Sequence, residues 1–350
     1  MKKVLRAFGF LVVFAMIVGC FTGCKARQKL YVFNAGDYIG KSVVKEFEKA
    51  YPEYKVVYTT FDSNESMYTK FTSDKTPYDV IIPSDYMIER LISEGRLNKI
   101  DMGRLENYSK IGDSFKGLSY DPENEYSVPY MWGTLGIIYN KTKVDEPVEH
   151  WSIMWDEKYK NEVLMMNSMR DSMGISLKTL GYDINTTSPD EINAAKDKLI
   201  EQKKNVRPIG GTDNLKDKMV SGSAALSYAY SGDAVWMIDS NPDLDYAVPL
   251  EGSNVWYDAM VIPTTSKNID GAYKFIDFMC STKIVLENVD EIGYSTPQME
   301  AFEQLDDSLK YNPVYSPSQD VIDRCVIYKN LDKDTLKLYS DDYEEVNISG

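Results

Sequence analysis

The chain has 350 residues, of which 39 are basic and 54 are acidic, so its formal net charge at pH 7 is −15. This excess of acid argues against a nucleic-acid-binding protein, because bound phosphates must be neutralised by Lys and Arg. It is compatible with a cationic ligand, although an acidic surface that only keeps the protein soluble explains the charge equally well. The length suggests about two domains.

The N-terminal segment predicts export. Three basic residues, Lys2, Lys3 and Arg6, precede an apolar run over 7–18. The run is shorter than the ~20 residues of an ordinary membrane-spanning helix. It ends at a small residue followed by Cys20, and the same theme recurs four residues later at Cys24.

This pattern resembles a bacterial lipobox, in which the cysteine is lipidated and becomes the mature N-terminus. The resemblance implies a lipoprotein signal peptide over 1–19 and a tether over 20–29, with Cys20 lipidated, or a signal peptide over 1–23 if the lipidated residue is Cys24. We therefore expect an extracytoplasmic protein, anchored to the cell membrane by its N-terminal lipid (in the periplasmic space if the source has an outer membrane). A signal anchor that is never cleaved is the alternative. Removing 1–19, which hold three positive charges and no acid, brings the remaining chain from −15 to near −18.

Strand and helix patterns alternate through the next 70 residues. Apolar, β-rich runs predict strands at 30–33, 56–58 and 79–82, and helical spacing of apolar residues predicts helices at 39–51, 65–71 and from 84 to 95. Ser84 is the predicted cap of the last of these helices. The βαβαβα order predicts a largely parallel sheet with helices on its faces.

The same alternation continues to residue 280. Strands are predicted at 136–139, 163–166, 224–228 and 256–262, and helices after Gly232 and at 268–280. Ser188, Pro189 and Glu191 have the spacing of a helix start, with serine as the cap. No loose linker separates the two domains, so the chain is expected to cross between them more than once.

The two cysteines beyond the export segment are Cys280 and Cys325. Cys280 lies in an apolar run, which favours a buried free thiol. A disulfide between the two stays open. No cluster of Cys and His indicates structural zinc, and no metal or cofactor is expected.

Ligands of open α/β sheets bind beyond the carboxyl ends of strands. Aromatic and acidic residues alternate in the segments at these predicted ends, where Arg170 is the one basic residue: 34–38, 84–86, 167–171, 230–233, 256–258 and 292–297. The mixture suits an alkyl ammonium, since carboxylates pair with the charge and each aromatic face attracts a cation by ~0.5–2 kcal/mol. Any one of these residues is more simply a helix cap or a core residue, but the set favours a ligand.

Four motifs occur in order along the chain: Ser63–Tyr68, Tyr78–Ser84, Tyr126–Gly133 and Ile292–Pro297. In order and spacing they resemble the spermidine/putrescine-binding proteins of ABC importers, over about residues 30–297. The resemblance implies an α/β, two-lobed type II periplasmic-binding-protein fold. Each lobe would be a mostly parallel sheet flanked by helices, with hinge crossovers between the lobes. The N-terminal lobe would comprise 30–135 and 257–302, the C-terminal lobe 136–256 and 303–350, and the ligand cleft would lie between them.

The resemblance also implies which residues touch the ligand. Six match ligand-contacting positions of the family directly: Tyr38, Ser84, Tyr86, Trp256, Asp258 and Tyr294. Asp258 would hold a main ammonium group, with Trp256 and Tyr294 walling the alkyl chain. Four more residues match family positions less directly. Asp171 stands where the family has Glu, and Tyr230 stands where a Trp is common. Asp37 and Asp233 match acids that the putrescine-preferring branch uses.

Three further candidate positions bear on specificity. Ala35 replaces a Trp, Ser168 replaces an Asp that spermidine binders use, and Thr212 lies near a polar contact position. These departures leave the amine class expected and the choice among amines open, and they admit another small organic cation.

The function implied is capture of putrescine or spermidine by a monomer, with lobe closure and delivery to an ABC permease that has a cytoplasmic ATPase. The alternative is an extracytoplasmic amine sensor or adhesin with the same fold. No enzyme is expected. His150 is the single histidine, and although Ser42 and Lys45 match an SxxK pattern, the KTG motif that accompanies it in penicillin-binding enzymes is absent.

Overall fold

A computed structural model of this protein describes residues 26–36, 38–209 and 212–349, and describes only the backbone of 208, 209, 212 and 213. The predicted signal peptide, both candidate lipidation sites (Cys20 and Cys24) and Asp37 lie outside these residues, as does the side chain of Thr212.

The described residues form nine strands: β1 (Gln28–Ala35), β2 (Tyr54–Phe61), β3 (Val80–Ile81), β4 (Ser127–Asn140), β5 (Val163–Met166), β6 (Val206–Ile209), β7 (Leu226–Tyr230), β8 (Leu244–Ala247) and β9 (Val255–Val261). They pair in the order β2-β1-β3-β9-β4-β7-β5-β6, with β8 also paired to β4.

Thirteen α-helices accompany these strands within the described ranges: α1 (Val43–Ala50), α2 (Asn64–Ser73), α3 (Asp85–Ser93), α4 (Met169–Thr179), α5 (Pro189–Gln202), α6 (Thr212–Val220), α7 (Ser231–Ser240), α8 (Ile269–Met279), α9 (Thr282–Ile292), α10 (Met299–Gln304), α11 (Asp307–Lys310), α12 (Gln319–Asp323) and α13 (Lys333–Ile348). None of the described helices is long and apolar enough to cross a membrane.

Two groups of parallel strands are joined through β4 and β9. The first group is β2, β1 and β3, and the second is β6, β5 and β7. β4 pairs antiparallel with β9 over 127–134 and with β7 and β8 over 135–140. The predicted α/β class with largely parallel sheets is thus confirmed. We refer to β1, β2, β3, β9 and their helices as the first half, and to β5–β8 and their helices as the second half. The exact lobe boundaries stay a prediction.

Most predicted elements are present, with shifted ends. The strands at 30–33, 56–58 and 163–166 correspond to β1, β2 and β5, and the helix at 268–280 corresponds to α8. The helix predicted from 39 begins only at Val43, where Val43 and Phe47 face the core. The strand predicted at 136–139 is the end of the 14-residue β4.

Two predicted helix caps are wrong in their chemistry. Ser84 precedes α3 and Ser188 precedes α5, but neither side chain accepts a hydrogen bond from the helix. The Ser84 hydroxyl instead accepts one from Asn64 at 3.0 Å. Before α5, the hydroxyl of Thr186 accepts the Ser188 N–H at 3.1 Å and contacts Glu191 in the first turn, so Thr186 fixes the backbone of Ser188 without capping the helix itself.

The C-terminal 50 residues complete the second half. α13 packs against α4 and α5, and Tyr339 on its inner face is fully buried. Asp332 caps α13 by accepting the N–H groups of Asp334 and Thr335. Cys280 is buried, as the sequence favours, and neither Cys280 nor Cys325 forms a disulfide within the part of the chain that the structure describes.

Candidate ligand-binding cleft

Asp258 lies at the centre of the candidate site. It stands on β9, and its backbone forms a bridge with Ser84, which precedes α3. The Tyr38 hydroxyl, beyond the end of β1, donates to Oδ2 of Asp258 at 2.8 Å. Oδ1 of Asp258 is buried and has no hydrogen-bond partner in the described part of the chain. One oxygen of the carboxylate is therefore held by a hydrogen bond, and the other is buried without one.

Among the described residues, no cation compensates the charge of Asp258. Burial raises the pKa of Asp258 to about 6, although hydrogen bonds from Ser84 and Tyr38 lower it. A buried carboxylate without a counter-charge favours its protonated form, and a nearby cation reverses that preference. An ammonium group at Oδ1 would supply both the missing charge and the missing donor.

Asp85 is a second buried carboxylate beside Asp258, and sequence reasoning did not select it. Its oxygens accept the backbone N–H of Tyr86 at 2.7 Å and that of Tyr257 at 3.0 Å. Burial raises its pKa well above the usual range, those N–H groups lower it, and the negative charge of Asp258 raises it. Both oxygens of Asp85 are occupied, so this residue supports the site from behind.

Tyr294 connects the aromatic residues of the site. Its ring meets Trp256 edge to face at 5.1 Å between centroids, and Tyr38 at 5.6 Å. Trp256 in turn meets Tyr230 at 6.1 Å. These rings lie against one another at near right angles, which is a favourable aromatic geometry. The buried indole Nε1 of Trp256 has no hydrogen-bond partner among the described residues.

Asp233 joins the two halves of the molecule. The Tyr294 hydroxyl, from the first half, donates to Oδ2 of Asp233 at the start of α7 at 2.8 Å. The Nζ of Lys216, in α6, lies 3.4 Å from Oδ1 of the same carboxylate. The sequence reading placed only Arg170 among the cations of this site, so Lys216 is an addition. Nothing in the sequence pattern of α6 pointed to it.

Asp171 occupies another part of the site. Its Oδ2 accepts hydrogen bonds from the hydroxyls of Ser168 and Tyr230, both at 2.6 Å. The Tyr328 hydroxyl lies 3.4 Å from Oδ1. Tyr328 belongs to the last 50 residues, where the family resemblance is weaker, which explains why it was missed.

Tyr86 faces the second half through cation–π and ring contacts. The guanidinium of Arg170 lies 5.3 Å from the Tyr86 ring centroid and 4.5 Å from that of Tyr328. The Tyr86 hydroxyl donates to Oε1 of Glu65 at 2.8 Å. Close by, the backbone N–H of Asn330 donates to Oε2 of Glu89 at 2.6 Å. These contacts bring α3 of the first half against the C-terminal segment.

The structure therefore brings together most of the sequence-predicted residues in one connected set. Hydrogen bonds, ring contacts or the backbone bridge link Tyr38, Ser84, Ser168, Asp171, Tyr230, Asp233, Trp256, Asp258 and Tyr294. Tyr86 joins through Arg170 and Tyr328. Ala35 is half-buried at the end of β1, where it pairs with Phe61 of β2.

The chemistry of this set is that of recognition. Carboxylates, phenol hydroxyls and aromatic faces can bind a cation with an apolar body. Within the described residues no group of three or more His, Cys, Asp and Glu side chains is placed to hold a metal ion.

Comparison with known proteins gives consistent results. Residues 42–315 match the sequence model of a family described as bacterial extracellular solute-binding protein. The spermidine/putrescine-binding periplasmic protein of Salmonella typhimurium is 33% identical over 277 residues, which is 79% of each chain.

Two solved structures superpose well on this fold. One is the spermidine/putrescine ABC transporter substrate-binding protein of Streptococcus pneumoniae, which is 38% identical with a TM-score of 0.79, over 92% of this chain and 99% of the other. The second is the Tp0655 lipoprotein of Treponema pallidum, which is 27% identical with a TM-score of 0.80, over 91% and 99% of the two chains.

Proposed function

The chain belongs to the spermidine/putrescine-binding family of bacterial extracellular solute-binding proteins, and from this premise we propose that it captures a polyamine between its two lobes and delivers it to an ABC permease. Like its relatives, it is a binding protein and not an enzyme. The two-lobed fold expected from the sequence is that of its structural relatives.

The observation that best supports the proposal is the state of Asp258. Its Oδ1 is buried and lacks a hydrogen-bond partner within the described residues, while Tyr38 holds Oδ2. An unpartnered buried acceptor is costly, and a buried charge costs more. A primary ammonium relieves both costs at once, because it brings a positive charge and three N–H donors.

The aromatic residues suit the alkyl part of the same ligand. Trp256 and Tyr294 meet edge to face next to Asp258, and we propose that they wall the methylene chain. Burial of each methylene contributes about 0.8 kcal/mol. Asp171 with Ser168 and Tyr230, and Asp233 with Tyr294, are the carboxylates proposed for the rest of the ligand. Ser84 and Tyr86 complete the first-half side, and Asp37, Ala35 and Thr212 remain candidate positions.

We further propose that the protein is a monomer, tethered to the outer face of the cell membrane by lipid on Cys20 or Cys24. Support comes from the lipobox-like sequence and from the related Treponema pallidum protein, which is described as a lipoprotein. About ten residues separate Cys20 from the first predicted strand, a short tether at ~3.3–3.6 Å per residue. Mass spectrometry of the mature N-terminus distinguishes the two cysteines, and an unlipidated terminus without cysteine contradicts the anchor.

Titration calorimetry tests the ligand class. We expect putrescine or spermidine to bind tightly, and to bind more tightly than choline, glycine betaine or arginine. A panel that also includes spermine and cadaverine ranks the amines. If no diamine or triamine gives heat of binding and choline or glycine betaine does, the ligand is another organic cation and the polyamine proposal is wrong.

A further inference from the structure

Lys216 brings a primary ammonium of the protein itself to the candidate cleft. Its Nζ lies 3.4 Å from Oδ1 of Asp233 and 5.6 Å from the centroid of the Trp236 ring. Its side chain is 25% exposed, and α6, which carries it, packs against α7, which carries both Asp233 and Trp236. A cation between a carboxylate and an aromatic face is the arrangement expected for the end of an alkyl amine ligand.

The two acids beside Tyr294 therefore differ in their partners. Asp233 accepts the Tyr294 hydroxyl on one oxygen and faces Lys216 with the other. Asp258 accepts the Tyr38 hydroxyl on one oxygen, and its other oxygen has no partner within the described ranges. Both carboxylates raise the pKa of Tyr294, after the larger effect of its burial, so both act on the same hydroxyl. The chain supplies a cation to one acid and leaves the other for a ligand.

We propose that Lys216 is a specificity-determining residue, whose ammonium holds Asp233 and lowers the affinity of the cleft for the second ammonium of a diamine. The inference rests on the proposed function and deepens it. A ligand ammonium that approaches Asp233 must share the carboxylate with Lys216 or displace it. Like charges about 4 Å apart repel enough to change an affinity by roughly fivefold even at the dielectric constant of water, and by more at a partly buried site.

Binding of amines that differ only in their second charge tests this role. Putrescine and n-butylamine have the same four-carbon chain, and n-butylamine carries a single ammonium. We expect Lys216→Met, which keeps the length of the side chain, to raise the affinity of the full-length protein for putrescine about tenfold. Its affinity for n-butylamine, measured by competition calorimetry, should change less than about twofold. The readout is the ratio of the two affinities, which a purely structural effect would leave unchanged.

Three matched variants complete the test. Lys216→Arg keeps the charge and should keep the wild-type ratio, whereas Lys216→Gln should behave like Lys216→Met. Adding Asp233→Asn to Lys216→Met should abolish the gain, because the acid that receives the second ammonium is then missing. An unchanged or lower putrescine-to-butylamine ratio in both neutral variants overturns the role of Lys216 while the polyamine function stands. If the wild-type protein binds neither of these amines and does not bind spermidine, the proposed function fails, and this inference fails with it.

Discussion

The Tyr38 hydroxyl donates a hydrogen bond to Oδ2 of Asp258 across 220 residues of sequence, at a distance of 2.8 Å. Tyr38 follows β1, and Asp258 stands on β9, which reaches the same sheet after the chain has passed through the second half. The bond fixes the carboxylate so that its second oxygen stays available. A site built on the return strand of the first half is complete only when the whole chain has folded.

Asp258→Asn is expected to weaken polyamine binding more than any other single change in the cleft. The amide keeps the shape and can still accept from Tyr38, but it loses the charge that pairs with the ammonium. Breaking a buried charge pair costs about 3–5 kcal/mol. Calorimetry with putrescine should therefore show a loss of at least about a hundredfold. The melting temperature without ligand should stay equal or rise, because a buried carboxylate is removed. An unchanged affinity would count against this pocket.

Polyamine affinity should fall as the pH drops through about 6. The pKa of Asp258 is raised to about 6 by burial, and only the deprotonated form pairs with an ammonium. Below pH 6 we expect a loss in affinity approaching tenfold per pH unit, and above pH 7 little change.

The stability of the ligand-free protein should depend on pH in the opposite direction. The pKa of Asp258 in the folded protein exceeds the usual 3.8, so its contribution favours folding at low pH and declines between about pH 4 and 6. In Asp258→Asn, the plot of unfolding free energy against pH for the ligand-free protein should lose its decline between about pH 4 and 6. A decline that survives must come from another group.

Asp79 contrasts with Asp258, because both oxygens of its buried carboxylate accept hydrogen bonds from the protein. Oδ2 accepts the N–H of Tyr31, and Oδ1 accepts the N–H groups of Lys267 and Asn268 and the Ser266 hydroxyl. Asp79→Ala leaves these donors without their acceptor, so the free energy of unfolding should fall by on the order of 2–4 kcal/mol. Denaturant unfolding measures the loss. Putrescine affinity in the folded fraction should stay within about threefold, and a larger change would place Asp79 in the binding machinery.

The sequence predicted the fold best where a pattern repeats locally. The strand at 163–166 has the predicted bounds because an apolar run of that length is bounded by polar residues. Helix caps were less predictable. Ser84 and Ser188 occupy cap positions without capping hydrogen bonds: the hydroxyl of Ser84 accepts from Asn64, and the backbone N–H of Ser188 donates to Thr186. Such choices depend on neighbours that only the folded chain brings close.

The site was predictable to the extent that family motifs carry it. Tyr38, Trp256, Asp258 and Tyr294 match ligand-contacting positions that the resemblance implies, and the structure joins them by direct contacts. Lys216 was missed because a lysine in an amphipathic helix has no distinguishing spacing. Its partner Asp233 follows another strand, so the 3.4 Å distance between the Nζ of Lys216 and Oδ1 of Asp233 arises only when the chain folds.

Gly232 lies against the ring of Tyr294 where the two halves meet, and a methyl group there should impair lobe closure. A Cβ at Gly232 would lie 1.9 Å from Cδ1 of Tyr294, well inside van der Waals contact, so the ring would have to move away from α7. Gly232→Ala should therefore break the Tyr294–Asp233 hydrogen bond and lower putrescine affinity by about tenfold or more. Small-angle scattering with saturating putrescine should show a larger radius of gyration than the wild-type complex. Gly36→Ala is the control, because a Cβ there meets no atom of the described residues within 4 Å. If Gly232→Ala binds putrescine and becomes compact as the wild type does, the contact of Tyr294 with α7 is not required for binding or lobe closure.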